Sequence, residues 1–340
     1  MALDPYTAGI LRLMAAAYPD VGGSITEAAE ARRRYDAARF PSGPRLGDVT
    51  DRVVPGTPDI AVRIYRPRGA RRPSPVVVYY HGGGFVLCGL DSHDGLCRQL
   101  ADGASAIVVS VDYRLAPEHK FPAAADDAYA ALRWVYEHAA RWGGNARRLA
   151  VAGDSAGGGL AAVTCLRARD LGYPPIRFQL LVYPVTDALA IRPDVPDSLL
   201  TTTQMNWFTE QYLARPEDAG HPYASPLRAP SLAGLPPAFV LTAEHDPLRP
   251  EGEAYAARLA GSGVAVTARR APGLFHGFFG LGGLVPVARA SERAAYAALR
   301  RALGTDTLGT DTLGTAGPDA DSDGATSTRA LTTKGMSVHG

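Results

Sequence analysis

Apolar residues form near-continuous runs at five places along the chain, and these runs predict buried parallel strands. The runs are Val76–Tyr80, Ala106–Val111, Leu149–Ala152, Phe178–Tyr183 and Ala238–Thr242. Strands that are covered on both faces lose the alternation of apolar and polar positions. Helical patterns separate most of the runs, at His93–Asp102, Ala123–Trp142, Ser155–Asp170 and Pro250–Ser262. Repeated strand-helix-strand units predict an α/β fold with a twisted, mostly parallel sheet and right-handed crossovers.

Three further strands extend this sheet to about eight. Val49–Val54 and Ile60–Arg66 alternate apolar and polar residues around a Pro-Gly-Thr-Pro turn, which is typical of an exposed antiparallel hairpin. Val264–Arg270 predicts a last strand, and Val285–Leu303 predicts a last helix beside it. We therefore expect a central sheet flanked by helices, with its final strand at an edge.

Two segments do not fit the strand-helix alternation and predict a helical cap over the carboxyl ends of the strands. Residues 1–45 contain helical stretches at Pro5–Ala17 and Thr26–Phe40. Residues 185–236 are rich in proline and contain a helical stretch at Thr203–Ala214. Because a compact domain rarely uses about fifty residues for a plain loop, a lid is the favoured interpretation.

The α/β core is accordingly expected in two parts, residues 46–184 and 237–303, with the cap insertion between them. Residues 304–340 repeat Thr-Asp-Thr-Leu-Gly and then consist mainly of Asp, Ser, Thr and Gly. Such a composition cannot bury enough apolar surface to fold. We expect a disordered low-complexity tail.

Composition and charge exclude several classes of protein. The 340 residues carry a formal net charge of +1, so nothing indicates a nucleic-acid partner. The three cysteines, Cys88, Cys97 and Cys165, have no metal-binding or paired spacing, and their odd number argues against a disulfide framework. No window contains the roughly 18 apolar residues that a membrane span needs. Arg12 interrupts the first apolar run, whereas a signal peptide has an uninterrupted apolar region. We expect a cytoplasmic protein without membrane contact.

The segment at residues 149–160 is the strongest candidate for chemistry. Its Gly153, Ser155 and Gly157 form a Gly-x-Ser-x-Gly pattern, which holds a serine on a sharp strand-to-helix turn with its hydroxyl above the sheet. The start of the helix leaves the N–H of Ala156 available to an oxygen that becomes negative. In a chain with 37 glycines the pattern alone fits a tight structural turn equally well, so the accompanying residues decide.

A run of three glycines, Gly82 to Gly84, directly follows the strand Val76–Tyr80. Glycines leave backbone N–H groups uncovered, so that a substrate carbonyl can approach them. In isolation a flexible turn is the simpler interpretation. After the third strand of this architecture, where a second oxyanion donor is found, the functional interpretation is favoured.

A nucleophilic serine needs a base and a carboxylate, expected at strand ends in the chain order serine, acid, histidine. His276 stands between the last predicted strand and the last predicted helix. Other histidines are expected in helices, in the lid or in the tail: His93, His119, His138, His221 and His339.

For the carboxylate, Asp246 follows a strand by a few residues, and Glu244 is its nearest competitor. Asp246 is favoured because its side chain is shorter and Pro247 makes the loop rigid.

Five motifs lie in one order along roughly Val76–Leu303. They are His81-Gly82-Gly83-Gly84, Asp112-Tyr113-Arg114-Leu115-Ala116-Pro117-Glu118, Gly153-Asp154-Ser155-Ala156-Gly157-Gly158, Asp246-Pro247-Leu248 and His276-Gly277-Phe278. With these motifs the chain resembles the bacterial hormone-sensitive-lipase-like esterases, family IV of the α/β-hydrolases. In that family the histidine corresponding to His81 is structural. One departure is Pro250, where relatives often carry a second acidic residue.

The resemblance implies a serine carboxylesterase or deacetylase that acts on short- to medium-chain small-molecule esters through an acyl-enzyme. It assigns three catalytic residues, the nucleophile Ser155, the general base His276 and its partner Asp246. It assigns the oxyanion hole to the N–H groups of Gly83, Gly84 and Ala156. Neither a metal nor an organic cofactor is implied.

An apolar substrate pocket is expected beneath the cap. Its candidate lining residues are Phe85, Leu87, Tyr183, Trp207, Phe208, Leu248 and Phe278. Each of these side chains taken singly fits the core as well as the pocket, because apolar residues serve both.

Two other functions use the same fold. A specialised tailoring enzyme of secondary metabolism, acting as a deacetylase, acyltransferase or lyase, would need a way to exclude or outcompete water, and no motif indicates one. A non-catalytic binding protein would be expected to lack a member of the triad, and all three residues are present.

The last strand also predicts an assembly. Strands at the edge of a sheet are often covered by pairing with a second copy of the chain. We therefore expect a homodimer through the last strand and the last helix.

Overall fold

The computed structural model describes residues 3–38, 41–70, 72–192 and 194–305. The predicted tail lies outside the described residues from residue 306 onward, as does the predicted helix end at Phe40. The strands of the expected core all lie inside them, so the predicted architecture can be compared element by element.

Eight strands in the described residues form one sheet. They are β1 (Asp48–Val54), β2 (Ile60–Arg66), β3 (Ser74–Tyr80), β4 (Ile107–Asp112), β5 (Gly144–Asp154), β6 (Phe178–Val182), β7 (Ala238–His245) and β8 (Val266–Phe275). Their order is β1-β2-β4-β3-β5-β6-β7-β8. The strands from β4 to β8 pair in parallel, whereas β2 pairs antiparallel with β1 and β4. The predicted α/β fold and its exposed hairpin are confirmed.

Eight α-helices accompany these strands in the same residues. They are α1 (Pro5–Ala17), α2 (Ala28–Asp36), α3 (Asp94–Ala104), α4 (Ala123–His138), α5 (Ala156–Asp170), α6 (Thr202–Tyr212), α7 (Arg249–Gly261) and α8 (Pro286–Leu303). The prediction for α2 was too long, because the helix begins after Glu27 and ends at Asp36. No helix of the described chain combines the length and the apolar character needed to cross a membrane.

The core occupies both faces of the sheet. In β3 every residue is buried, and successive side chains point to opposite faces. Val76 and Val78 pack in one apolar cluster with residues of α4 and α5. Val77 and Tyr79 pack in a second cluster with residues of α3 and α8. Because helices cover both faces, the central strands appear in the sequence as continuous apolar runs.

The cap insertion is fixed to the core by a buried ion pair. Arg192 Nε donates to Glu251 Oε2 of α7 over 2.6 Å, and both side chains are buried. The other oxygen of Glu251 accepts from the backbone amides of Thr186 (2.7 Å) and Asp187 (3.2 Å). One carboxylate of the core therefore holds three groups of the insertion.

This arrangement predicts a large loss of stability when Glu251 is removed. Glu251→Ala should lower the free energy of unfolding by about 3–5 kcal/mol, because it leaves Arg192 buried without a counter-charge. Urea denaturation measures the change. Glu253→Ala on the same helix is the matched control, since its pair with Arg270 is largely exposed and should contribute no more than about 1 kcal/mol. Equal losses in the two variants would contradict the argument.

The last strand lies at the edge of the sheet, as predicted, but it begins later and extends further. Within the described residues it pairs with β7 alone, and four consecutive residues from Thr267 to Arg270 are exposed. The homodimer through β8 and α8 stays a prediction.

Candidate active site

Ser155 occupies the sharp turn between β5 and α5. Its backbone has φ 55° and ψ −122°, a strained conformation for a residue with a side chain. The turn brings other backbone atoms so close that a Cβ at Gly153 would overlap the carbonyl oxygen of Gly157. A Cβ at Gly157 would overlap the carbonyl oxygen of Tyr80. The two glycines of the Gly-x-Ser-x-Gly pattern are thus required by close packing around the serine.

Ser155, His276 and Asp246 form one hydrogen-bonded chain. His276 Nε2 lies 3.0 Å from Ser155 Oγ, and His276 Nδ1 lies 2.8 Å from Asp246 Oδ2. With the proton on Nδ1, the imidazole donates to the carboxylate and its Nε2 can accept from the serine hydroxyl. The residues are 7%, 6% and 1% exposed, so water screens these contacts little.

The topology explains why three distant residues meet. Ser155 follows β5, Asp246 follows β7 and His276 follows β8. These strands are parallel, so their carboxyl ends lie at the same edge of the sheet. The ring of Tyr183, directly after β6, packs against the imidazole with 4.5 Å between ring centroids.

Glu244, the competitor of Asp246, has a different partner. Its Oε2 accepts from the backbone amide of Gly273 over 2.7 Å. Asp246 instead faces His276 through Oδ2, and its Oδ1 accepts from the amide of Leu248 over 2.8 Å. The geometry thus places only the aspartate in hydrogen-bonding contact with the histidine.

The glycine run after β3 forms a turn beside Ser155. Gly83 and Gly84 have φ of 102° and 63°, which glycine adopts without strain. A Cβ on Gly84 would overlap the ring of Phe208, so this position excludes a side chain. The amides of Gly83 and Gly84 donate no hydrogen bond to any described residue, and both glycines line the same cavity as Ser155. Ala156 is the first residue of α5, where the N–H has no partner within the helix.

A buried network beneath this turn was not predicted from the sequence. Asp154 Oδ1 accepts from the amide of Gly82 over 3.0 Å and from the hydroxyl of Tyr79 over 2.6 Å, and it lies 3.4 Å from Nε2 of His93. Burial alone raises the pKa of Asp154, but His93 and the hydrogen bonds hold that pKa below its ordinary value.

The prediction that His93 lies in a helix is wrong, because His93 directly precedes α3 and its side chain reaches the Asp154 carboxylate. Asp154 belongs to the Gly-Asp-Ser motif, which is the signal that could have indicated it.

His81 is packed as part of the scaffold. Its ring stacks on Tyr113 with 4.3 Å between centroids, and the hydroxyl of Tyr113 donates to the carbonyl of His81 over 2.7 Å. Its Nδ1 lies 2.8 Å from the carbonyl oxygen of Gly82. Burial, together with the nearby His93, lowers the pKa of His81 to about 3, so the ring is neutral at neutral pH. This agrees with the structural role that the resemblance implied.

A mainly apolar cavity of about 440 Å³ opens at Ser155. Four of the residues predicted to line a pocket do line it: Phe85, Tyr183, Phe208 and Leu248. The other three, Leu87, Trp207 and Phe278, do not. Leu87 and Trp207 belong to a buried cluster with the N-terminal segment, and Phe278 packs in the core against one face of the sheet.

Both predicted cap segments contribute to this cavity. From α1 come Ile10, Leu13, Met14 and Ala17, and from the insertion come Leu199, Leu200, Met205, Phe208, Thr209 and Tyr212. Apart from Phe208, sequence reasoning missed these residues, because an apolar position on a helix does not reveal which neighbour covers it. The stretch Pro5–Ala17 is apolar and carries a single charge, Arg12. This low charge is the sequence signal that could have indicated the α1 residues of the cavity.

Comparisons with known proteins identify the family of the chain. A family model described as the α/β-hydrolase fold matches residues 77–280. The carboxylesterase NlhH of Mycobacterium tuberculosis is 49% identical over 255 residues, which cover 73% of this chain and 80% of that protein. The esterase LipI of the same organism is 48% identical over 290 residues, which cover 82% of this chain and 89% of that protein.

Solved structures give the same result. The hyperthermophilic esterase from the archaeon Pyrobaculum calidifontis superimposes with a TM-score of 0.81 at 42% identity, covering 88% of this chain and 99% of that one. The ester hydrolase EH1AB1 from the metagenome of Lake Arreo superimposes with a TM-score of 0.82 at 39% identity, covering 89% and 99%. The chain therefore belongs to the hormone-sensitive-lipase-like family of α/β-hydrolases and is a carboxylic ester hydrolase.

Proposed function

We propose that the protein hydrolyses short- to medium-chain carboxylic esters through an acyl-enzyme formed on Ser155. The observation that carries the proposal is the hydrogen-bonded chain from Ser155 through His276 to Asp246 at the floor of an apolar cavity. Such a chain activates a hydroxyl that is otherwise a weak nucleophile.

In the first step Ser155 Oγ attacks the ester carbonyl carbon while its proton passes to His276 Nε2. Asp246 keeps the other imidazole proton on Nδ1 and stabilises the imidazolium that forms. The burial of all three residues strengthens this stabilisation, since little water competes for the charges.

The carbonyl oxygen becomes negative in this step and needs hydrogen-bond donors. We assign these donors to the N–H groups of Gly83, Gly84 and Ala156, and loss of one such donor costs about 3–4 kcal/mol of barrier in other hydrolases. The Asp154 carboxylate holds the preceding residue, Gly82, and so positions the glycine turn.

The tetrahedral intermediate then collapses, and the bond between the acyl carbon and the alcohol oxygen breaks. The departing alcohol takes the proton from His276 Nε2, which leaves an ester between the acyl group and Ser155. Water attacks this ester while His276 Nε2 accepts its proton. The second tetrahedral intermediate then collapses, the bond between the acyl carbon and Ser155 Oγ breaks, and Oγ takes the proton back from His276 as the acid leaves. The steps need neither a metal nor an organic cofactor.

The walls of the cavity limit the substrates. Residues of α1 and α6 form part of these walls, so an ester must fit between them and the sheet. We predict that kcat/KM for p-nitrophenyl esters, measured from acetate to laurate, is highest below about eight acyl carbons and falls for longer chains. Faster turnover of emulsified long-chain lipids than of these short esters would contradict the prediction.

A further inference from the structure

The segment that follows β8 carries His276 and also forms one wall of the cavity. We name residues 276–285 the histidine loop; it consists of turns without a helix or strand. Five of its members besides His276 line the cavity: Gly277, Phe279, Gly280, Leu281 and Leu284. The position of this loop therefore determines the width of the cavity.

A carboxylate of α8 holds the loop from behind. Glu292 Oε1 accepts from the backbone amide of Gly280 over 2.9 Å and from that of Gly282 over 2.8 Å. The residue is only 4% exposed. A Cβ on Gly282 would overlap the other oxygen of Glu292, so glycine allows the carboxylate to approach this closely.

The carbonyl groups of the same two glycines are held as well. Gln99 Nε2 of α3 donates to the carbonyl of Gly280 over 3.0 Å, and Arg289 Nε donates to that of Gly282 over 3.0 Å. Each of these donors meets one glycine, whereas Glu292 meets both. Among these three side chains, Glu292 is thus the one that joins Gly280 to Gly282.

A buried carboxylate in this place has an energetic cost that its known contacts do not remove. Among the described residues Glu292 forms no salt bridge within 4.0 Å. Burial raises the pKa of Glu292 above its ordinary value, and the amide donors together with the charge of Arg289 offset this only in part. The ester-cleaving steps do not use the group, so its role lies in the loop that it holds.

We infer that Glu292 is a positioning residue that fixes the cavity wall formed by the histidine loop and thereby determines which esters bind. The inference rests on the proposed function, since it takes this cavity as the substrate pocket. Without the Oε1 acceptor, the buried amide of Gly282 and the half-buried amide of Gly280 lose their partner, and the wall shifts. His276 itself keeps its contacts with Asp246, Ser155 and the ring of Tyr183.

Two variants of Glu292 separate this role from a general effect on stability. Glu292→Gln keeps the acceptor oxygen, and we expect KM values within about twofold of wild type for every ester. Glu292→Leu has a similar size but no acceptor, and we expect KM for the longest accepted p-nitrophenyl ester to rise about tenfold while KM for the acetate and kcat change less than about twofold.

Inactivation by diethyl p-nitrophenyl phosphate serves as the control for the triad. This small reagent reacts with an activated serine without contacting the whole wall, so its rate should be the same in wild type and both variants. If Glu292→Leu does not fold, Gly282→Ala displaces the carboxylate from the other side and should produce the same chain-length-dependent rise in KM.

Unchanged KM values in Glu292→Leu, an equal change for short and long esters, or an equal change in Glu292→Gln would overturn the inference. If wild-type protein cleaves none of the esters, the proposed substrate range fails by itself. The effect of Glu292→Leu on the cavity wall is then tested by comparing the inactivation rates of wild type and variant with dialkyl p-nitrophenyl phosphates that carry short or long alkyl groups. A lower rate in Glu292→Leu with the long alkyl groups alone supports the inference.

Discussion

Ser155→Ala should lower kcat for p-nitrophenyl esters by about 10⁶-fold, the scale seen when the nucleophile of a serine hydrolase is removed. The variant has no oxygen to give its proton to His276 or to form the acyl-enzyme. Substrate affinity should change little, because only one atom of the cavity floor is lost. Steady-state turnover of purified protein, with ligand binding measured separately, checks both expectations.

A second serine provides the matched control. Ser225 is also buried and hydrogen-bonded, with its Oγ donating to the carbonyl of Ala219 over 2.7 Å, but it forms no hydrogen bond with a described residue of the triad. Ser225→Ala should lose about 1 kcal/mol of stability and keep its kcat. A phosphonate that labels Ser155 in wild type, located by peptide mass spectrometry, should label no residue of Ser155→Ala. Turnover by Ser155→Ala above about one hundredth of wild type would refute the assignment.

Asp246→Asn should lower kcat by about 10⁴-fold while the fold is kept, as expected for a change of imidazole tautomer. Oδ1 of Asp246 accepts from the amide of Leu248, so the asparagine carbonyl takes that position. Its NH₂ group then faces Nδ1 of His276, where the carboxylate oxygen stood. Nδ1 can accept a hydrogen bond from this NH₂ group only when the imidazole proton is on Nε2. Nε2 can then no longer accept a proton from Ser155.

Glu244→Gln is the corresponding control, because Glu244 was the competing acid. Its carboxylate accepts from the amide of Gly273, and glutamine keeps an acceptor oxygen for that bond. We expect kcat within about threefold of wild type. Comparable losses in Glu244→Gln and Asp246→Asn would mean that the histidine is oriented by both acids.

The fold could be predicted because the central strands are covered on both faces. Runs such as Val76–Tyr80 do not alternate apolar and polar residues, and this pattern can be read from the sequence. The end of β8 could not be predicted in the same way. Arg269 and Arg270 lie on an exposed edge, and the pairing of His245 with Phe275 after an irregularity extends the strand beyond the apolar pattern.

The site could be predicted where local backbone shape and chain order identify a residue. Gly153 and Gly157 are required by close packing around Ser155, so the Gly-x-Ser-x-Gly motif indicates the sharp turn at the serine. The cavity wall is different, because burial alone does not separate Phe278 in the core from Phe279 in the wall. Contacts such as that of Glu292 with the histidine loop join separate elements and need the tertiary structure.

The buried pair between Arg192 and Glu251 has a consequence for exchanging parts among relatives. Its acidic member belongs to α7, the helix that begins directly after the loop of Asp246, whereas its basic member belongs to the cap insertion. A chimera whose foreign insertion at residues 185–236 has no arginine at the place of Arg192 would retain a buried carboxylate without its counter-charge. The cap insertion and α7 should therefore be exchanged together when substrate preference is transferred by grafting.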